Sequence, residues 1–299
     1  LMEGFKSGFI AIIGRPNVGK STLLNNIVGE KVAILSEKPQ TTRNQIRGVA
    51  NGEGWQMIFI DTPGLHVPKN RLGNFMVESA KKALDGVDAV LVILDATKDF
   101  GTGDRVSLEA AAGAGVPVVA VLNKVDLVKK AILLDKINLL SKNQSIGEII
   151  PVSALTGDGV QDLVQSLIQY LPEGPEYFPA DMYTDQPEMF IAAEMIREKG
   201  LLLLRDEIPH GIGVEMLKIE EKPSGTVEIH ANIICEKDSH KAIIIGRRGE
   251  MLKNLGTMAR QDIQALLGAK VNLQLWVRVK PGWRDSTMLL KDLGYREEL

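Results

Sequence analysis

The sequence predicts an α/β domain with a mixed, mainly parallel sheet, followed by a smaller α+β module. Three observations carry this reading. Through roughly the first 170 residues, short apolar runs alternate with stretches of helical period. Those runs are apolar almost throughout, as strands covered on both faces of a parallel sheet are. Past Pro172, Pro175, Pro179 and Pro187 the order of elements changes.

The strands read as 9–13, 55–60, 89–94, 116–122 and 149–152, and the helices between them as 20–27, 72–84, 106–112, 131–141 and 160–171. Residues 45–50 form one more strand, joined to Trp55 through Asn51-Gly52-Glu53-Gly54. A connection that short makes a hairpin, so one edge strand is antiparallel. Four prolines over 172–187 cannot continue a helix and read as an extended linker of limited flexibility. Beyond it come a helix (189–204), strands 213–220 and 226–236, two helices parted at Gly246-Arg247-Arg248-Gly249, and a last strand, 271–279. The domains are therefore 1–172, a linker 173–188, and 189–299 with a C-terminal tail.

Bulk composition narrows the class. With 299 residues, 44% hydrophobic and 24% charged, the chain can bury a real core, and disorder is not the default. The net charge of −3 does not suggest a nucleic-acid partner for the chain as a whole. Cys235 is the single cysteine and cannot form an intrachain disulfide; it reads as a small core residue of a protein in a reducing cytosol. Apolar runs are too short to span a bilayer, and the four histidines have no metal-ligand spacing.

Gly14-Arg15-Pro16-Asn17-Val18-Gly19-Lys20-Ser21 fits G-x-x-x-x-G-K-[ST] between an apolar strand and a helix. A turn with little side-chain bulk lets successive backbone N–H groups converge on phosphate oxygens, beside the positive end of a helix dipole. Lys20 is expected to reach the β- and γ-phosphates and Ser21 to bind Mg²⁺, with Thr22 beside it. Asp61-Thr62-Pro63-Gly64 ends a strand, where Asp61 faces the metal and the Gly64 amide can sense a γ-phosphate. Asn123-Lys124-Val125-Asp126 ends another. Asp126 can accept the N1–H and N2 amino hydrogens of guanine, a donor pair adenine lacks. The Lys124 stem can lie over the base. Ser153-Ala154-Leu155 follows the last strand, where the Ala154 amide could meet guanine O6. All four segments lie at strand C-termini, where open α/β sheets bind ligands. The fold class is then an α/β P-loop NTPase, Ras-like in its mixed sheet, specific for GTP and GDP.

These segments, with Pro39-Gln40-Thr41-Thr42-Arg43, resemble the translation-factor class of small GTPases and, within it, the bacterial Era family of TrmE-Era-EngA-like proteins with a C-terminal KH domain. The resemblance covers essentially the whole chain. The polar loop 36–43 is positioned to order around γ-phosphate and Mg²⁺. Likeness to the family's T-T-R pattern makes Thr42, rather than Thr41, the third metal ligand beside Ser21 and Asp61. Ras-type enzymes place a water-orienting glutamine after D-x-x-G. Here Leu65 holds that place, so intrinsic hydrolysis is slow or takes another route. In related GTPases with the same loop the asparagine at Asn17 helps bind K⁺, which supplies transition-state charge; the alternative is a loop-stabilising side-chain hydrogen bond. Lys20, Asn17, Thr42 and Gly64 are the residues singled out for hydrolysis.

A G-x-x-G turn joining two helices beside a three-stranded sheet is the nucleic-acid clamp of KH domains, here in the type II order. Both variable positions are arginine, and the span 237–284 holds ten basic residues against three acidic ones, a net of +7. An acidic protein thus carries a basic module. Ile243, Ile244 and Ile245 are expected to floor the bases, with Gly246, Arg247, Arg248, Gly249 and Lys253 on the backbone of single-stranded RNA. Trp276 and Trp283 offer stacking platforms, although Trp276, in a strand, reads more readily as core. Resemblance to the Era family implies a target near the 3′ end of 16S ribosomal RNA and a role in 30S subunit assembly, by a cytoplasmic monomer. A competing reading is an RNA-binding module with a structural, scarcely hydrolysed nucleotide. A third, a peripheral role at the inner membrane, also comes from the family; the sequence shows no obvious lipid anchor.

Overall fold

The computed structural model describes residues 4–36, 38, 40–65 and 67–295. It divides into two compact units. One comprises Leu1–Leu35, Thr42–Val67 and Met76–Asp185; the other comprises Ser36–Thr41, Pro68–Phe75 and Gln186–Leu299. The expected α/β and α+β classes both hold.

In the first unit, six strands are ordered β2-β3-β1-β4-β5-β6. They are β1 (Lys6–Ile13), β2 (Ile46–Gly52), β3 (Trp55–Asp61), β4 (Ala89–Asp95), β5 (Val118–Asn123) and β6 (Glu148–Pro151). Only β2 runs antiparallel, paired to β3 from Ile46↔Asp61 to Gly52↔Trp55, which leaves a two-residue hairpin turn. Every residue of β4 is buried, which explains why the strand is apolar without alternation. The intervening helices are α1 (Lys20–Val28), α2 (Arg71–Lys82, of which Met76–Lys82 belongs to this unit), α3 (Thr102–Gly113), α4 (Lys130–Leu140) and α5 (Val160–Ile168). Parallel register sets the ends of β1, β3, β4 and β5 side by side: Ile12 pairs with Asp61 and with Leu91, and Asp95 with Asn123. The functional loops leave from this edge.

The proline-rich segment as far as Asp185 belongs to the first unit. Proline lacks an N–H, so the segment cannot zip on as a full strand; single bonds hold it instead. Buried Gln56 is the main one. Its Oε1 accepts from the backbone N–H groups of Tyr177 (2.8 Å) and Phe178 (3.0 Å), while Nε2 donates to the Phe178 carbonyl (2.8 Å). Val49 N–H donates to the Tyr183 carbonyl (2.8 Å), Thr184 Oγ1 donates to the Arg47 carbonyl (2.6 Å), and Arg47 pairs with Asp185 (2.8 Å). The edge of β2 is thereby covered.

The second unit holds α6 (Glu188–Leu203), β7 (Gly213–Glu221), β8 (Thr226–Cys235), α7 (Asp238–Ile245), α8 (Glu250–Leu267), β9 (Lys270–Val279) and α9 (Thr287–Asp292). Its sheet is β7-β8-β9, antiparallel then parallel. Ile191, Met195, Ile196, Ile229, Ile233, Leu255, Ala259 and Ile263 share one core, with Cys235 among them as expected. Helix α6 also buries charges. Arg197 pairs with Glu194 and donates to the Thr41 carbonyl, and Lys199 bridges Glu198 (2.8 Å) and Asp262 (2.5 Å). No described helix is long and apolar enough to cross a membrane.

Candidate functional site

The loop between β1 and α1 wraps the end of the sheet. Lys20 is buried, and its ammonium donates to the carbonyls of Gly14 and Arg15, both at 3.3 Å. Ser21 Oγ lies 2.6 Å from Asp61 Oδ2 and 2.9 Å from Thr42 Oγ1, which is itself 3.4 Å from Asp61 Oδ2. The three residues expected to hold a metal thus converge from α1, the 36–43 loop and β3. The Thr41 hydroxyl instead donates to the Ser36 and Lys38 carbonyls. Asp61 Oδ1 is buried and makes no hydrogen bond among the described residues.

Loss of water dominates the charges here. It pushes the Lys20 pKa down, against the attraction of Asp61. It pushes the Asp61 carboxyl up, against Lys20 and the hydroxyls of Ser21 and Thr42. A buried cation and anion each driven toward neutrality favour an incoming phosphate beside the one and a hard cation beside the other. Two hydroxyl oxygens and a carboxylate with a spare buried oxygen suit Mg²⁺.

Gly64 lies against this loop so closely that a Cβ there would be 2.7 Å from Pro16 N, and Leu65 N–H donates to the Gly14 carbonyl (3.3 Å). Leu65 itself is buried. The Arg15 side chain is taken by Asp104 of α3 (2.9 Å), which leaves its backbone to the loop. Asn17 is exposed with a left-handed backbone, φ 66°.

Asn123 joins three segments. Nδ2 donates to the Val18 carbonyl (2.8 Å), and Oδ1 accepts from the backbone N–H groups of Lys124 (2.8 Å) and Ala154 (2.9 Å). The Ala154 amide, expected to meet guanine O6, here ties its loop to Asn123. Ser153 is buried and its Oγ accepts from Thr156 N–H (3.2 Å), while the Leu155 side chain faces solvent. Asp126 is exposed. Lys124 Nζ donates to the Asn17 carbonyl (2.9 Å) and to Asp95 Oδ2 (2.8 Å). Asp95 is absent from the residues the sequence singles out, because an acid at a strand end carries no motif.

In the other unit, Gly246-Arg247-Arg248-Gly249 turns between α7 and α8. Gly246 has φ 74°, and a Cβ there would lie 2.6 Å from Met251 Cβ, so a side chain is excluded. Arg247 and Arg248 are exposed. Below the turn, Gly249, Leu252, Lys253, Gly256, Thr257 and Arg260 of the α8 face and Leu273 and Leu275 of β9 line a groove of about 470 Å³. Most of that lining is absent from the sequence expectation. The repeat Gly249, Lys253, Gly256, Arg260 on one helical face is the available signal.

Three expectations about the module need correction. Ile244 is fully buried in the core, because α7 turns it toward β8 and β9; among the three isoleucines it cannot floor a base, while Ile243 is half exposed. Trp283 is also fully buried, its Nε1 donating to the Gly211 carbonyl (3.0 Å), so it is no stacking platform. Trp276 is not core: it is 40% exposed on the sheet face away from the helices, with His230 edge-on at 5.5 Å.

Residues 9–124 match a family described as 50S ribosome-binding GTPase, and residues 207–284 match the KH domain. The chain is 52% identical to the GTPase Era of Ruminiclostridium cellulolyticum, over 98% of each chain. It is 50% identical to the GTPase Era of Clostridioides difficile, over 98% of this chain and all of that one. Among solved structures it resembles Era in complex with MgGDPNP and nucleotides 1506–1542 of 16S ribosomal RNA, with TM-score 0.94 and 41% identity over 97% of this chain and 99% of that one. A variant of Aquifex aeolicus Era bound to GDP·AlF4⁻ gives 0.93 and 41% over the same shares.

Proposed function

The chain belongs to the Era family of GTPases, and from that premise we propose that it is a GTP-driven switch whose KH module binds the 3′ region of 16S ribosomal RNA during small-subunit assembly in the cytoplasm. The observation that supports the switch most directly is the meeting of Ser21, Thr42 and Asp61 within 3.4 Å of one another. Thr42 comes from a loop, so its place among these oxygens is the part a γ-phosphate can hold or release. A relative of 41% identity bound to MgGDPNP and a 16S fragment supports the ligands.

In this reading Ser21, Thr42 and Asp61 hold Mg²⁺, which when bound neutralises charge on the β- and γ-phosphate oxygens. Lys20 exchanges the Gly14 and Arg15 carbonyls for phosphate oxygens. Backbone N–H groups of residues 14–21 cradle the phosphates, Asp126 accepts the guanine N–H groups, and the Lys124 stem covers the base. The Gly64 amide, pressed against Pro16, reads the γ-phosphate. Leu65 can neither donate nor accept a proton, so water is oriented from elsewhere and turnover without RNA is slow. Asn17 is the proposed K⁺ contact. Arg247, Arg248 and Lys253 bind the RNA backbone, while Ile243 and the groove along α8 and β9 take the bases.

Multiple-turnover phosphate release, measured with and without a 16S 3′-end fragment in K⁺ and in Na⁺ buffer, tests this reading. Release faster with the fragment and faster in K⁺ is expected. Equal rates in the two salts would remove Asn17 from the mechanism. Crosslinking in cells tests the RNA target: messenger RNA enriched over ribosomal RNA would overturn the assembly role.

A further inference from the structure

We infer that Asp95 is a positioning residue for the nucleotide, clamping the Lys124 ammonium so that the lysine stem stays over the purine, and so setting how long GDP remains bound. The inference rests on reading Asn123–Asp126 as the guanine site. Asp95 ends β4 directly beside Asn123, its register partner on β5. It is 2% exposed, so its carboxylate has little water to fall back on. Each oxygen is engaged. Oδ2 accepts from Lys124 Nζ at 2.8 Å, and Oδ1 accepts from Thr97 N–H at 2.9 Å and Thr97 Oγ1 at 2.6 Å. Burial alone would raise the Asp95 pKa, but the bonds from Lys124 and Thr97 outweigh it and hold the carboxyl below its usual range.

Lys124 needs such a holder. Its backbone is left-handed, φ 69° and ψ 36°, a conformation that L side chains take only under local constraint. Its ammonium joins the end of β4 to the phosphate loop through the Asn17 carbonyl. With both acceptors present the four-carbon stem is pinned at its far end. With the carboxylate neutralised, only a carbonyl remains, and the stem regains rotamers that do not cover the base. Base recognition by Asp126 is untouched by that change, which separates retention from selectivity.

Displacement of fluorescent methylanthraniloyl-GDP from the full chain, followed by stopped flow, tests the inference. Asp95→Asn keeps the shape and the Thr97 contacts and is expected to speed release roughly 10- to 100-fold. Lys124→Met, which keeps an apolar stem without the ammonium, should do the same, and the double variant should be no faster than either single one. Thr97→Val should stay within about threefold of the parent, and Asp95→Asn should keep the parent's preference for GDP over XDP. Release unchanged in Asp95→Asn, equal acceleration in Thr97→Val, or additive single effects would each overturn the inference. Asp126→Asn is measured alongside. If it switches preference to XDP while Asp95→Asn is silent, the clamp alone fails; if it leaves preference unchanged, the guanine-site reading fails and the clamp with it.

Discussion

The phosphate loop and the α8–β9 groove are built in opposite ways. At the nucleotide site, loops from five strand ends converge, and side chains there bind backbone as often as one another: Asn123 alone reaches Val18, Lys124 and Ala154. Lys20 and Asp61 are buried, and for each the loss of water outweighs the attraction of the other. The groove instead lies open, with an apolar floor of Leu252, Leu273 and Leu275 and exposed arginines at its head. Preorganised burial gives selectivity for one small ligand; an open basic groove gives adaptable hold on a flexible polymer.

The contrast predicts the size of substitution effects. Lys20→Ala should lower kcat/KM for GTP by about 10³, read from phosphate release, with RNA binding at the module retained. An effect below tenfold would deny that the phosphate site is preorganised. Thr42→Ala should slow hydrolysis about 10- to 100-fold and raise the Mg²⁺ concentration that hydrolysis needs, whereas Thr41→Ala, whose hydroxyl is spent on its own loop, should stay within about threefold. Equal losses from the two would mean that the loop holds its shape rather than a metal.

At the groove each effect should be smaller. Gly256→Leu would fill the space facing Leu275 Cδ1, 3.4 Å from the added Cβ, and should cost RNA binding ~1–3 kcal/mol, the worth of one stacked base, with GTP hydrolysis intact. Replacing Arg247 and Arg248 with glutamine should weaken binding evenly across sequences and flatten its salt dependence by about 0.7 for each phosphate no longer neutralised. Sequence-selective weakening would show that the arginines read bases.

The smallest effect is one of pH. On the β7–β8 hairpin, hydrogen bonds from Lys218 and Lys222 hold Glu220 down to about 2. A depressed carboxyl stabilises the fold above its ordinary titration range and loses that contribution as pH falls through about 2. Melting curves of the parent and Glu220→Gln should therefore converge in strong acid and differ slightly at neutrality, the exposed pair being screened.

The same contrast explains what the sequence discloses. Gly14–Ser21 and Asn123–Asp126 are legible because backbone cradles demand fixed residue types at fixed spacing. Asp95 is not, since its role depends on β4 and β5 lying in register, a fact created by folding. Leu273 and Leu275 look like any alternating strand residues until α8 is laid across them. Ile244 misleads because three consecutive isoleucines do not reveal which one the helix turns inward, and Trp283 because a tryptophan near the C-terminus says nothing of the Gly211 carbonyl awaiting it.

The proline-rich segment has the composition of a joint, yet Gln56 grips its main chain at Tyr177 and Phe178. A protease must draw several residues into its cleft as a free extended strand before cutting. Tyr177, Phe178 and Tyr183, the residues chymotrypsin favours, have their amides or carbonyls already engaged along β2 and β3. A stretch whose composition invites digestion is thus shielded by its own hydrogen bonds, and a change at Gln56 would lay it open to the enzyme.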